Sequence, residues 1–221
     1  MPDYILNIPK LGVINIHPSL LPKLRGPSPI SFAILDGSQI TGVSIIKMVK
    51  ELDAGPILFQ QKFKINSQFN SEQLGLELFR IAAKNLNQTV KKIVDKSILQ
   101  ISQNHSLATY TKMIKKNDGL INWLDSGELI IRKFKAYSQW PGLYTHWNNK
   151  RLIIKEAEFQ KKENIISKKN GQILELNNQG IAVKTIDGLI YIKSLQLEGG
   201  KIMDASLFVN GRPSFLSSNL N

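Results

Sequence analysis

Asn15 and His17 stand two residues apart, followed by Ser19, Leu20, Leu21, Pro22, Lys23, Leu24, Arg25 and Gly26. Downstream, Asp53 sits in the run Leu52, Asp53, Ala54, Gly55. Together these positions supply an amide, an imidazole and a carboxylate, in a chain with no Cys and with no Ser placed as a nucleophile. Such a set suits moving an acyl-level carbon between two nitrogens through a charged tetrahedral intermediate. The amide and a protonated imidazole are natural donors to the oxygen that gains charge, and removing one such donor costs about a hundred- to a thousand-fold in rate. Asp53, if close to His17, would fix the ring's orientation and favour its charged form.

The elements that must position these groups follow from the surrounding residues. Residues 12–17 read as a strand, which puts Asn15 and His17 on one face. Their near-continuous apolar character is that of a buried parallel strand with neighbours on both sides. Pro18 stops the strand's hydrogen bonding and opens the loop. That loop holds two further turn residues, Pro22 and Gly26, and two cations, Lys23 and Arg25. With its leucines and backbone it can wrap a flat heterocycle. Taken alone, a strand-end His is more simply a satisfied polar group, and Asp53 an ordinary turn residue, since Asp-x-Gly turns are common. Their conjunction with Asn15 and the loop favours function.

Position by position, these residues resemble the catalytic segment of the folate-dependent formyltransferases: Asn15 and His17 in Asn-x-His, Ser19 to Gly26 in the loop, and Asp53 in Leu-Asp-x-Gly. The resemblance implies transfer of a formyl group from 10-formyltetrahydrofolate to an amine, with Asn15, His17 and Asp53 catalytic. Ser19, Leu20, Leu21 and Pro22 would bind the folate, and no metal is needed. It also implies that roughly 90 residues, three βα units of about 30 each, precede the catalytic strand in the family. The expectation is therefore a chain lacking the amino-terminal part of the catalytic domain, inactive or poorly folded alone because the first strand exposes an apolar edge.

Two parts are visible along the chain. Up to about residue 96, strand-like and helix-like segments alternate: strands over residues 41–48 and 57–65, and a helix over 71–94 capped by Ser71 with Glu72 in its first turn. Alternation of this kind implies an open α/β sheet. Residues 97–116 read as a linker. A helix is expected at 126–137, opened by Ser126. Short strands at 152–154, 171–176, 180–186 and 189–197 then follow, with turn signals at Asn178, Gly180, Asp187 and Gly188. The expected class is α/β: the carboxyl-terminal half of a Rossmann-like formyltransferase domain (1–96), then a small OB-like β-barrel domain (117–221).

The acceptor is not set by the loop. The runs Asp118, Gly119, Leu120, Ile121, Asn122, Trp123, then Ile131, Arg132, Lys133, Phe134, and Trp140, Pro141, Gly142 are similar to the start of the carboxyl-terminal domain of methionyl-tRNA formyltransferases. That resemblance implies initiator methionyl-tRNA as acceptor. An amino-sugar nucleotide is the nearest alternative enzyme substrate, and a non-catalytic RNA-binding remnant is an alternative of another class. From Lys112 onward 17 basic residues face 10 acidic ones, a net of +7, which favours an RNA backbone over a sugar nucleotide. The whole chain carries +12. Lys115, Lys116, Arg132, Lys133, Lys135, Lys150 and Arg151 form the candidate tRNA-contacting group, and Trp123 and Trp140 are expected in the core.

No apolar run approaches the ~20 residues of a membrane span, and no signal peptide opens the chain. The absence of Cys excludes disulfides and fits a reducing cytoplasm. His17, His105 and His146 are scattered without ligand spacing, which argues against a metal site. The overall expectation is a cytoplasmic protein, a monomer, which an amino-terminal fragment could complement.

Overall fold

A single turn of helix, α1 (Asp3–Leu6), leads into strand β1 (Ile14–His17). Helix α2 (Pro29–Leu35) follows, with Pro29 at its start, where a missing N–H costs nothing. Strands β2 (Ile40–Lys47) and β3 (Ile57–Lys64) and the long helix α3 (Ser71–Val94) complete this region. The computed structural model describes residues 3–163, 165 and 169–221. They divide into two compact units, Met1–Ile114 and Lys115–Asn221.

In the first unit the sheet order is β1-β2-β3, and both ladders are antiparallel. The parallel neighbours expected for β1 are not found among the described residues. Among them β1 pairs with β2 alone, and three of its four residues are half-buried rather than buried. An apolar run reports burial, not the direction of the partner strand. β2 is the true interior strand, buried from Thr41 to Ile46, and α3 packs against β2 and β3. Helix α3 turns Leu74, Leu78 and Ala82 inward at helical spacing. Its cap is Asn70 rather than Ser71. The Asn70 side chain accepts from the Gln73 N–H at 2.9 Å and the Gln73 side chain accepts from the Asn70 N–H at 3.0 Å, a reciprocal capping box.

The second unit begins with helix α4 (Gly127–Ala136), capped by Ser126, whose hydroxyl accepts from the Leu129 N–H at 3.2 Å. Strands β4 (Tyr144–Trp147), β5 (Lys150–Lys161), β6 (Ile173–Asn177), β7 (Gly180–Lys184), β8 (Gly188–Leu197) and β9 (Ile202–Asp204) follow, and helix α5 (Ala205–Asn210) closes the run. The antiparallel sheet runs β4-β5-β8-β7-β6, with β9 added on β8. Among the described residues no ladder joins β4 to β6, so this is an open sheet and not a closed barrel. Strand β4 is not legible from periodicity. It exists because Asn148 and Asn149, both at positive φ, make the two-residue hairpin that returns it onto β5.

The core of this unit joins Trp123 and Ile130 to the sheet's Leu152, Ile181 and Ile192 and to Phe208 and Phe215. Trp140, expected in the core, is 56% exposed. Its place is taken by Trp147, which packs edge-on against Phe208 and Phe215. Phe215 is fully buried, with ring centroids of Trp147 and Phe208 at 5.1 and 5.0 Å. Phe215→Ala should destabilise this unit by about 3–5 kcal/mol, read as a lower denaturant midpoint. A loss under about 1 kcal/mol would mean that the aromatic cluster contributes little to the unit's stability.

Candidate active site

The register of β1 against β2 sets the site. Asn15 opposes Ile46 and His17 opposes Ser44, and directly opposed residues share a face of the sheet. Onto that face folds the loop that follows β1. Ser19 donates its N–H back to the His17 carbonyl at 2.9 Å, and its hydroxyl closes the loop on the Lys23 carbonyl at 2.7 Å. Ser44, a polar residue inside an apolar strand, holds the loop down. Its hydroxyl donates to the Ser19 carbonyl at 2.7 Å and accepts from the Leu21 N–H at 3.2 Å. Gln60 on β3 donates to that hydroxyl at 2.8 Å and to the Leu21 carbonyl at 3.0 Å. The Leu21 side chain is buried with Ile46 and Ile57.

The four residues expected to bind the folate are thus divided by the structure. Ser19 and Leu21 are buried in the loop's interior and shape it, while Leu20 and Pro22 are half-buried along it. The far side of the loop is stitched to a strand-like segment. Leu24 donates its N–H to the Thr109 hydroxyl at 2.8 Å, and Arg25 donates its N–H to the Thr109 carbonyl at 2.9 Å. The Thr111 N–H returns to the Arg25 carbonyl at 2.7 Å.

His17 is 4% exposed. Its Nε2 lies 2.9 Å from the Leu24 carbonyl, which can only accept, so Nε2 carries the hydrogen in this arrangement. Nδ1 then faces Asp53, 3.6 Å from Oδ2, an ion-pair contact longer than a hydrogen bond. The same Oδ2 accepts the Gly26 N–H at 2.7 Å. One carboxylate therefore holds both the end of the loop and the imidazole. Asn15, half-buried and on the face of His17, has a side-chain amide that makes no hydrogen bond among the described residues.

Asp53 reaches this position because its turn is unusually tight. It sits at φ +51°, and a Cβ on Gly55 would lie 1.8 Å from the Lys47 carbonyl oxygen, so only glycine fits there. His17 and Asp53 meet although Asp53 is remote in sequence, and Asn15 lies on the same face of β1 as His17. Ser44 and Gln60, which the sequence did not single out, complete the loop's support. Ser44 carried a signal: a hydroxyl between Val43 and Ile45 in a buried strand must bond to something. Gln60 carried none. Among the described residues there is no cluster of His, Asp or Glu able to hold a metal, and no helix is long and apolar enough to cross a membrane.

Chemically, the arrangement places an unengaged amide donor beside a paired imidazole and carboxylate at the end of a strand. A largely desolvated carboxylate can hold or accept a proton there, and the amide can stabilise an oxygen that gains charge.

Residues 1–90 match the family model described as Formyl transferase, and residues 113–213 match the one described as Formyl transferase, C-terminal domain. The methionyl-tRNA formyltransferase of Caldicellulosiruptor saccharolyticus is 43% identical over 211 residues, which cover 96% of this chain and 67% of that protein. The methionyl-tRNA formyltransferase of Staphylococcus aureus strain MW2 is 37% identical over 217 residues, 98% of this chain and 69% of that protein. The chain thus spans about two thirds of the length of these curated relatives.

Two solved structures share the fold. HypX from Aquifex aeolicus, in complex with tetrahydrofolic acid, superposes with a TM-score of 0.67 at 19% identity, over 92% of this chain and 35% of that one. An N-formyltransferase from Helicobacter canadensis, in complex with folinic acid and dTDP-3-aminofucose, gives 0.64 at 18% identity, over 86% of this chain and 66% of that one.

Proposed function

This chain belongs to the methionyl-tRNA formyltransferase family, and from that membership we infer that it transfers the formyl group of 10-formyltetrahydrofolate to the amino group of initiator methionyl-tRNA. The observation that carries the reading at the site is the His17–Asp53 pair beside one loop, with Asn15 on the face of His17. In this reading the acceptor nitrogen attacks the formyl carbon, and the carbon's oxygen becomes negative. The Asn15 amide donates to that oxygen. The new C–N bond forms, the bond to the folate N10 breaks, and N10 takes up the proton that the attacking amine gives up. The attacking amine gives up its proton to Asp53 or to water. His17, held by the Leu24 carbonyl on one side, keeps its other ring nitrogen beside the Asp53 carboxylate. The folate lies along Leu20 and Pro22, on the loop that Ser19 and Leu21 shape.

What favours methionyl-tRNA over an amino-sugar nucleotide is the naming of the curated relatives together with the net +7 from Lys112 onward. Within the candidate basic group, Lys115, Lys116 and Lys150 are exposed. Lys133 is paired with Asp125, and Arg151 stacks on the Tyr144 ring at 3.9 Å, which gives both a structural task. Replacing Lys115, Lys116 and Lys150 by Gln should weaken tRNA binding, with folate KM unchanged. The salt slope of affinity should fall by about one for each phosphate that is no longer neutralised. An unchanged slope would remove these three from the interface.

In this reading the catalytic domain is 1–96, the segment 97–114 holds its loop in place, and 117–221 is the tRNA-binding domain. The protein works as a cytoplasmic monomer, and an amino-terminal fragment is its candidate complement. The test is acceptor choice. Charged initiator tRNA should be formylated and a dTDP-linked amino sugar should not. The reverse would move the chain to the sugar enzymes, and tRNA binding without either reaction would leave the RNA-binding alternative.

A further inference from the structure

Arg25 is 2% exposed, so its guanidinium must be satisfied inside the first unit. Gln103 does most of this. Its Oε1 accepts from Arg25 Nε at 3.2 Å and from Arg25 Nη2 at 2.6 Å. Nη1 donates to the Tyr110 hydroxyl at 3.3 Å, and Nη2 also meets His105 Nδ1 at 3.3 Å. The other end of the Gln103 amide faces the site. Its Nε2 donates to the Asp53 carbonyl at 2.8 Å and to the Gly55 carbonyl at 2.7 Å. All four hydrogen-bonding capacities of this one side chain are therefore spent, two on the loop arginine and two on the turn that carries Asp53.

Resting on the proposed reaction, we propose that Gln103 is a positioning residue: its amide clamps the Asp53–Gly55 turn to buried Arg25 and so holds the Asp53 carboxylate against His17 and the Gly26 N–H. The turn needs such a clamp. Asp53 sits in the left-handed region, where a non-glycine residue persists only when its surroundings fix it. Without the two amide donors the turn is free to relax and the carboxylate to drift, and a displacement of about 1 Å at a reacting group costs on the order of a hundred-fold in rate.

The discriminating variant is Gln103→Glu. A carboxylate keeps the acceptor that Arg25 needs but lacks both donors to the turn. A residue that merely satisfied Arg25 would tolerate Glu; a clamp would not. The chain has three histidines, so the imidazole ¹⁵N signals of His17 can be followed through a pH titration without any turnover. We expect the His17 curve of Gln103→Glu, and of Gln103→Ala where it folds, to move onto that of Asp53→Asn. The Glu variant should melt above Gln103→Ala, because Arg25 keeps its acceptor. In formyl transfer, kcat should fall about a hundred-fold with folate KM within about threefold. A Glu variant with the parent's His17 curve overturns the proposal. If the parent does not formylate methionyl-tRNA even with an amino-terminal fragment present, the proposed function fails, while the His17 curves still decide the role of Gln103.

Discussion

Asn15→Ala should lower kcat for formyl transfer about a hundred- to a thousand-fold while leaving tRNA affinity unchanged, the loss typical of removing one donor to a developing oxyanion. The expectation rests on what the Asn15 amide does not do. It stands on the face of His17, half-buried, and makes no hydrogen bond among the described residues. Removing it therefore breaks nothing in the fold, and the melting temperature should hold. Asn15→Asp is the sharper variant, because it replaces the donor with an acceptor of like charge to the oxyanion and should be no better than Ala. Single-turnover kinetics with saturating folate would show whether the loss lies in the chemical step. Activity within about threefold of the parent would remove Asn15 from the reaction.

Asp53→Asn should cost about a hundred- to ten-thousand-fold in kcat, the range over which a positioned acid or base contributes. The substitution keeps the side chain's shape, and an amide oxygen can still accept the Gly26 N–H that now lies 2.7 Å from Oδ2. What it removes is the charge 3.6 Å from His17 Nδ1. With Nε2 committed to the Leu24 carbonyl, the ring's other nitrogen then faces a neutral amide. If the role of Asp53 were only to close a tight turn, Asn, which tolerates the left-handed region well, would be nearly silent. The comparison of kcat with melting temperature separates the two: a large loss in the first with little change in the second points to chemistry.

The site was legible where its information is local. Two-residue spacing on a strand put Asn15 and His17 on one face, and the loop's residue types announced a turn-rich clamp. Helix α3 was legible to its ends because 24 residues of period leave little choice, although the capping residue was not. Asn70 caps better than Ser71 here because Gln73 returns its hydrogen bond. What stayed hidden depends on partners far away along the chain. Gln103 meets Arg25 across 78 residues and lies in a stretch with no period, which reads as a linker. The antiparallel direction of β2 against β1 follows from the path of the chain between them, on which an apolar run is silent. Trp140 shows the same limit from the other side: composition marks it as core material, yet it stands 56% exposed and Trp147 fills that role.

Counting formylmethionyl-tRNA decides whether this chain carries the formyl-transfer site. The assay uses charged initiator tRNA and 10-formyltetrahydrofolate with this chain alone, and with this chain plus a separately expressed amino-terminal fragment of the Caldicellulosiruptor relative. An Asn15→Ala chain serves as the blank. Formylmethionyl-tRNA is expected in the mixture, with at least a hundred-fold less when the Asn15→Ala chain takes the parent's place. Formylation of a dTDP-linked amino sugar instead, or product that persists undiminished with Asn15→Ala, would contradict it.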